Sequence, residues 1–497
     1  VPPQRVDTFA PAMPQKEQVH ASAVSPKKRY APAPVSPQKE QVHASAVSPK
    51  KEQEQEQLLI DDENELKKII RLYSDNVFSE AKVSDDMIEF IITTFIDNDF
   101  YDNGCIVIDN SWKSKYLYQK TALAEFVRIF KKNYTDATNG VAEVANIGEG
   151  TYGAVFNVGN GTAKKFLKNE AGKCLLDLDS TIIYVQWMVE FCTYVVIMSI
   201  IKYIDCTLID DDKKRDECIQ TRYKNLFDDG TYFLNYYSFM AKIKKPFISN
   251  QQAGNKYYIG YYIEIYEDTI SNKIINAKTP QDITTCVNLL QQTFEILKKI
   301  YDLRNIGIIL THRDLSTRNL MFTQDMNRKK SHKIRIIDFG FICVNIKFRK
   351  GKNKVFGYHP YEASDDLQLC NKNFIDIVFF INWIIENHMM FLYKVGIASG
   401  LRVDNLFKGL IDRQLVTKDL SPWEYAARVA DKFTDKIFTD VFKMLINIKK
   451  KMGEKSVFRN MEEVDYGQVK QYNLSDITDI GQYIRVYDAN KQNYLKI

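Results

Sequence analysis

The sequence predicts an α+β protein, and three of its features carry that prediction. A glycine-rich stretch at 147–156, reading IGEGTYGAVF, runs into β-type residues and then the turn Gly159-Asn160-Gly161, which suits a hairpin. Apolar residues recur at helical spacing on both sides of it, at Leu66, Ile69, Ile70 and Tyr73, and again at Leu289, Leu290, Phe294, Leu297 and Tyr301. A third kind of segment, residues 1–57, has Phe9 and Tyr30 as its only aromatics. It holds too little apolar surface to offset the entropy of ordering, so a disordered tail is expected.

Composition bounds the class. The chain has 497 residues, 45% hydrophobic and 26% charged, which is ordinary for a globular protein and leaves room for a two-lobed core with extensions. A net charge of +5 over this length does not by itself argue for a nucleic-acid partner. The eight cysteines are scattered, with no CxxC pair and no histidine at ligand spacing. That pattern predicts reduced, packed thiols in a cytosol-like compartment rather than a zinc site or a disulfide framework. The first residues carry no apolar run of the kind a secretory leader needs.

Within the tail a 15-residue string, PQKEQVHASAVSPKK, occurs at 14–28 and again at 37–51. Two copies make a duplicated segment, not a solenoid. Each ends in Ser-Pro-Lys-Lys, which reads as a solvated linker or as a basic anchor for nucleic acid that phosphorylation of Ser25 and Ser48 would switch. From Leu58 apolar periodicity begins. Met87, Phe90, Ile91 and Phe95, then Leu123, Phe126, Val127 and Ile129, predict a mostly helical extension over 58–140.

The chemistry lies further on. Residues 311–320 contain His312-Arg313-Asp314-Leu315, with Asn319 five residues after Asp314, and Asp338-Phe339-Gly340 begins 24 residues after Asp314. Phosphoryl transfer needs one carboxylate to take a hydroxyl proton, and an amide with a second carboxylate to hold Mg²⁺. The glycine string fits G-x-G-x-x-G-x-V. A dinucleotide fold shares part of it, but there the glycines open a helix, whereas here strand residues follow. These three strings, in this order, resemble the protein-kinase family from about Asn146 onward. The resemblance implies a bilobal fold, with a small β-rich lobe at 141–266 and a large helical lobe at 267–497, and it implies ATP and Mg²⁺.

The same resemblance implies roles. Asp314 would be the catalytic base, with Asn319 and Asp338 as metal ligands. Ile147, Gly148, Glu149, Gly150, Thr151, Tyr152, Gly153, Ala154 and Val155 would cover the nucleotide. The segment Ala163-Lys164-Lys165 resembles the family's V-A-x-K. Strand alternation puts Ala163 and Lys165 on one face, so Lys165 meets the phosphates and Lys164 is expected as a solvated surface lysine. Its carboxylate partner is read as Glu190, with Asp179 the alternative. Residues 181–201 carry one charge and are long enough to span a membrane, but a central glutamate is expensive there, so a buried helix is the expectation. Residues 210–230 read as an insertion. Tyr258 to Tyr266 reads as a buried strand resembling the hinge, with Ile263 at the gatekeeper place and the backbone of Glu264 and Tyr266 toward adenine.

Two departures from the family bear on substrate. Ser316 stands where Ser/Thr kinases carry lysine, and Arg318 is the candidate replacement cation. The string Ser316-Thr317-Arg318-Asn319 is closer to tyrosine kinases, while residues 355–362 are not, and Ser/Thr specificity is favoured. Asp376 opens an apolar helix resembling the one whose aspartate holds the catalytic loop. Between Gly340 and Pro360 there is no Ser or Thr and only Tyr358 could be phosphorylated, while Lys347, Arg349, Lys350, Lys352 and Lys354 make that segment basic. The expectation is an enzyme not switched by phosphorylation there, acting on a protein substrate that is acidic if those cations face it. The overall style resembles divergent kinases of large DNA viruses, which implies host cytoplasm or virion. A catalytically silent scaffold and a nucleic-acid binder acting through 1–57 are the rival readings.

Overall fold

The computed structural model describes residues 58–97, 106–107, 115–136, 145–149, 153–168, 175–177, 181–207, 240–250, 256–324, 332–359, 372–411 and 422–453. The repeat-bearing tail, residues 150–152, Asp179, the expected insertion at 210–230 and residues 360–362 lie outside them.

Helix α1 (Glu63–Tyr73) starts where the Asp62 carboxylate accepts the Glu65 N–H at 3.0 Å, and buries Leu66, Ile69, Ile70 and Tyr73. Helix α2 (Asp85–Phe90) is capped by Ser84 and continues as a π-helical turn, Ile91–Asp97. The two-residue strand β1 (Ile106–Val107) and helix α3 (Lys115–Tyr134) complete the extension. It is not a separate unit. Its buried side chains share one contiguous core with the sheets and with the C-terminal helices.

Strands β2 (Ala145–Glu149), β3 (Gly153–Gly159) and β4 (Thr162–Leu167) form an antiparallel meander. The β3–β4 turn takes left-handed φ at Gly159, Asn160 and Gly161, a conformation that two glycines and an asparagine adopt with least strain. After β5 (Leu175–Asp177) comes helix α4 (Thr181–Thr207), then β6 (Ile243–Asn250) and β7 (Lys256–Glu264). Strand β7 is central: β4 and β5 pair along one edge and β6 along the other. Gly260 makes the β4 contact possible, because a Cβ there would stand 1.8 Å from the Lys165 carbonyl oxygen.

The remainder is helix-rich. Strand β8 (Asp268–Thr269) and helices α5 (Ile270–Ile275) and α6 (Pro280–Asp302) lead to β9 (Ile308–Thr311). Helix α6 opens on a reciprocal Thr279–Asp282 capping box. Strands β10 (Leu320–Gln324) and β11 (His332–Ile336) join β8 in one sheet. Strands β12 (Cys343–Ile346) and β13 (Lys354–His359) join β9 and β1 in another, in the order β1-β13-β12-β9. Helices α7 (Ile375–Asn387), α8 (Met389–Ser399), α9 (Val403–Leu410), α10 (Pro422–Val429) and α11 (Lys436–Met452) follow. The architecture is mixed α+β, sheet-rich in the N-terminal and middle regions and helix-rich in the C-terminal one, a bilobal layout in general terms.

Among the described residues one helix is long and apolar enough to cross a membrane. It is α4, and 94% of its window Trp187–Ile204 is buried inside the protein. Packing explains its composition: Trp187 and Phe191 make edge-on contacts with Phe126 and Phe130 of α3, with ring centroids 4.3–5.7 Å apart.

Two expectations are corrected. Lys164 is not solvated. It is 4% exposed, 3.1 Å from the Asp136 carboxylate, and its ammonium lies 4.1 Å from the Phe247 ring centre and 4.9 Å from that of Tyr262. Asp136, just beyond α3, covers what would otherwise be the open outer face of the sheet. Burial lowers the Lys164 pKa and Asp136 opposes the shift. Removing one partner of such a pair is expected to cost about 3–5 kcal/mol. Lys164→Met should therefore lower the urea midpoint sharply, and adding Asp136→Leu should recover much of the loss. The thiols are the second correction: Cys192 and Cys286 are free and buried, but Cys343 is disulfide-bonded. Strand β12 holds Cys343 buried between Thr311 and Gly357.

Candidate active site

The inner face of the meander sets one wall. In register, Val155 lies opposite Lys165, and Ala163 opposite Ile263, all on the side away from Phe156 and Phe166. Ala154 falls on the outer side, in the cluster with Phe156, Phe166 and Phe247. Gly148 pairs with Val155, and Ile147 is half exposed. Gly153 lies so close to β4 that a Cβ would meet the Phe166 carbonyl oxygen at 2.9 Å. The backbone of Glu149 ends β2, whereas Gly150, Thr151 and Tyr152 lie outside the described residues. Glu264 ends β7. Tyr266 is buried, and its hydroxyl accepts the Lys242 N–H at 3.2 Å.

Lys165 reaches across to the other wall, where its ammonium pairs with Asp338 at 3.2 Å. Glu190 of α4, the carboxylate expected to pair with Lys165, is buried within electrostatic range of both but forms no ion pair with that lysine among the described residues. Burial would lower the Lys165 pKa, but Asp338 and Glu190 more than offset that and raise it. Lys165 in turn holds the Asp338 carboxyl below its ordinary range. Asp338 keeps 44% of its side chain accessible, so it lines an opening rather than a sealed core. Burial pushes Glu190 up to about 7, with Lys165 opposing.

The rise at Glu190 has a stability consequence. The neutral acid is the favoured buried form, so its contribution is complete below the ordinary value of 4.5 and is lost as pH rises to about 7. That gap corresponds to about 3 kcal/mol. Glu190→Gln is expected to be more stable than wild type by roughly that much at pH 8, with the difference nearly gone by pH 4.5, as thermal melts across pH would read. Equal melting temperatures at pH 8 would contradict it.

The loop after β9 is held by α7. The Asp376 carboxylate accepts the His312 N–H at 2.7 Å and the Arg313 N–H at 2.8 Å. The His312 ring bridges to the second loop. Its Nδ1 accepts the Asp314 N–H at 3.4 Å, so Nε2 carries the proton and donates to the Ile337 carbonyl at 3.0 Å. Arg313 and Asp338 both sit in the left-handed region, with φ of 63° and 62°. Such strain in non-glycine residues costs of order 1–3 kcal/mol and persists only where the surroundings over-determine it. Phe339 is buried after Asp338, its ring 5.2 Å from Tyr194 of α4 and 6.4 Å from His312.

Asn319 orients Asp314. Its Nδ2 donates to the Asp314 carbonyl at 2.8 Å and to Oδ2 at 3.0 Å, which leaves Oδ1 as an acceptor. Burial raises the Asp314 carboxyl above its ordinary range and Asp338 adds to the rise, while His312, Asn319 and Arg318 oppose it. Arg318 is exposed and stacks on Trp383 at 4.5 Å. Beneath it, Thr317 and the buried His388 share a hydrogen bond of 2.7 Å, and burial pushes His388 down to about 4.

Lys165, Glu190, Asp338, Asn319 and Asp314 thus come together from four separate stretches, and Arg318 stands at the rim. Among the described residues no group of three or more His, Cys, Asp or Glu side chains could hold a metal unaided. One carboxylate and one amide do suit Mg²⁺, which takes few protein ligands and completes its shell with water and phosphate oxygens. Sequence reasoning missed Asp136, Tyr194 and Gly260. Each acts through a contact between distant segments, and none carries a local motif. No family model matches this chain, and no curated protein matches it.

Proposed function

We propose that the chain is an ATP-dependent protein kinase with a bilobal kinase-like fold, transferring the γ-phosphate to protein hydroxyls, with Ser/Thr favoured over Tyr. The observation that carries this reading is the convergence of Lys165, Asp338, Asn319 and Asp314 on one opening. An ammonium, a carboxylate with a neighbouring amide, and a second carboxylate oriented by that amide lie within reach of one another, the set that phosphoryl transfer needs.

Asp314 accepts the proton of the attacking hydroxyl. Its raised pKa brings it closer to the operating pH than an exposed aspartate, and Asn319 fixes its direction. Lys165 binds the α- and β-phosphates, and Asp338, with Glu190 when it is ionised, keeps that ammonium charged. The backbone about Gly148 and Gly153 covers the phosphates. Val155 and Ala163 wall the adenine side, with the main chain of Glu264 and Tyr266 as its hydrogen-bonding edge. Asp338 and the Oδ1 atom of Asn319 would hold Mg²⁺, which when bound neutralises charge on the phosphates. Arg318, at the rim, orients the incoming substrate.

Incubation with Mg-ATP labelled at the γ-phosphate and a mixed acidic protein substrate tests this. Label recovered as phosphoserine or phosphothreonine after acid hydrolysis is the expected result. Phosphotyrosine alone would correct the specificity, and ATP binding without transfer to any protein would point to a silent scaffold.

A further inference from the structure

The segment after Asp338-Phe339-Gly340 is gripped by the N-terminal extension. At the backbone level the Arg349 N–H donates to the Ile60 carbonyl at 3.1 Å, and the Lys350 N–H to the Asp61 carbonyl at 2.7 Å. Beside them the Leu59 N–H donates to the Ile306 carbonyl at 3.1 Å, just ahead of β9. Charges follow the same seam. Arg349 pairs with Asp61 at 2.8 Å and donates to the Leu58 carbonyl at 2.7 Å. Lys354 pairs with Glu63 at 3.0 Å and donates to the Ile96 carbonyl at 2.8 Å. Strand β1 then pairs in parallel with β13, Ile106 opposite Tyr358.

These contacts matter because of where β13 and β12 lead. Strand β12 follows Asp338 directly, and β9, its other neighbour, delivers the chain to His312 and Asp314. A segment loose at β13 would loosen both loops of the site. Phosphorylation commonly supplies the missing tether by creating a charge that arginines grip. Here the gripping cations, Arg349 and Lys354, already face carboxylates of the same chain, and no Ser or Thr lies between Gly340 and Pro360. Arg313 is turned inward as well, its Nε donating to the Phe341 carbonyl at 2.6 Å.

We propose that residues 58–97 and 106–107 act in cis as the constitutive activator, with Asp61 and Glu63 as positioning residues that replace a phosphate on the segment 347–359. The activating half of this rests on the phosphotransferase reading, whereas the holding half does not. Exposed ion pairs alone hold weakly, so the seam works as a unit: Ile60 is 1% exposed and Phe348 6%, buried among the backbone bonds that the charges bracket.

The test uses the full chain with reversed charges. Asp61→Lys with Glu63→Lys sets like charges against Arg349, Lys350 and Lys354, and adding Arg349→Glu with Lys354→Glu restores opposite signs. Hydrogen exchange over 347–359 should quicken about tenfold in the first variant and return to within about threefold of wild type in the fourfold one. Phosphate transfer should fall and return in parallel, and phosphatase treatment should leave wild-type transfer unchanged. Unchanged exchange in the first variant, or no recovery in the fourfold one, overturns the clamp. Altered exchange with unaltered transfer overturns the activating role. A wild type that transfers nothing while exchange still responds overturns the phosphotransferase reading and leaves the clamp standing.

Discussion

Asp314→Asn is expected to lower the turnover of phosphate transfer by about 10²–10⁴-fold, the usual contribution of a positioned general base. The KM for ATP should stay close to wild type. An asparagine at this position still offers an oxygen to Asn319 Nδ2, which now bonds both the carbonyl and Oδ2 of Asp314. The loop therefore keeps its shape and loses only its basicity. Melting temperature should change little, because Asp314 is only partly buried and contributes no ion pair among the described residues. A matching fall in binding and turnover would mean that the residue shapes the cleft rather than taking a proton.

Asp376→Ala should act through structure instead. It removes the acceptor of two buried N–H groups, those of His312 and Arg313, which no water replaces readily in a core position. Each orphaned donor costs about 1–3 kcal/mol, so a loss of about 2–6 kcal/mol is expected. The left-handed Arg313 would also lose the contact that helps to hold it strained. Transfer should fall further than the folded fraction, since Asp314 follows directly. Asp376→Asn keeps one acceptor and should be intermediate in both urea midpoint and rate. If Asp376→Ala melted like wild type, the anchoring account of α7 would be wrong.

The parts of the site that were legible in the sequence are those fixed by short-range geometry. Strand alternation separates Lys165 from Lys164, and the register of β3, β4 and β7 places Lys165 on the inner face with Val155 and Ala163. The apolar run around Glu190 does form one buried helix, and the Asp376 helix does begin beside the His312 loop. Contacts between segments far apart in the chain were not legible. Lys164 looked solvated because Asp136, 28 residues earlier, has to fold over the sheet before that lysine is covered. The basic run at 347–354 read either as a substrate-facing patch or as a solvated charge run, yet Arg349 and Lys354 face the carboxylates of Asp61 and Glu63. Lys347 and Lys352 remain exposed. Periodicity identifies a helix but not what covers it, which is why the extension read as helical and not as part of the segment's own sheet.

Titration calorimetry with ATP in the presence and absence of Mg²⁺ tests whether Lys165, Asp338 and Asn319 form one Mg-ATP site. Wild type should bind ATP more tightly with Mg²⁺, and Asp338→Asn should lose most of that dependence while retaining its fold. ATP binding that is absent, or that keeps its full Mg²⁺ dependence in Asp338→Asn, would mean that these residues do not form such a site.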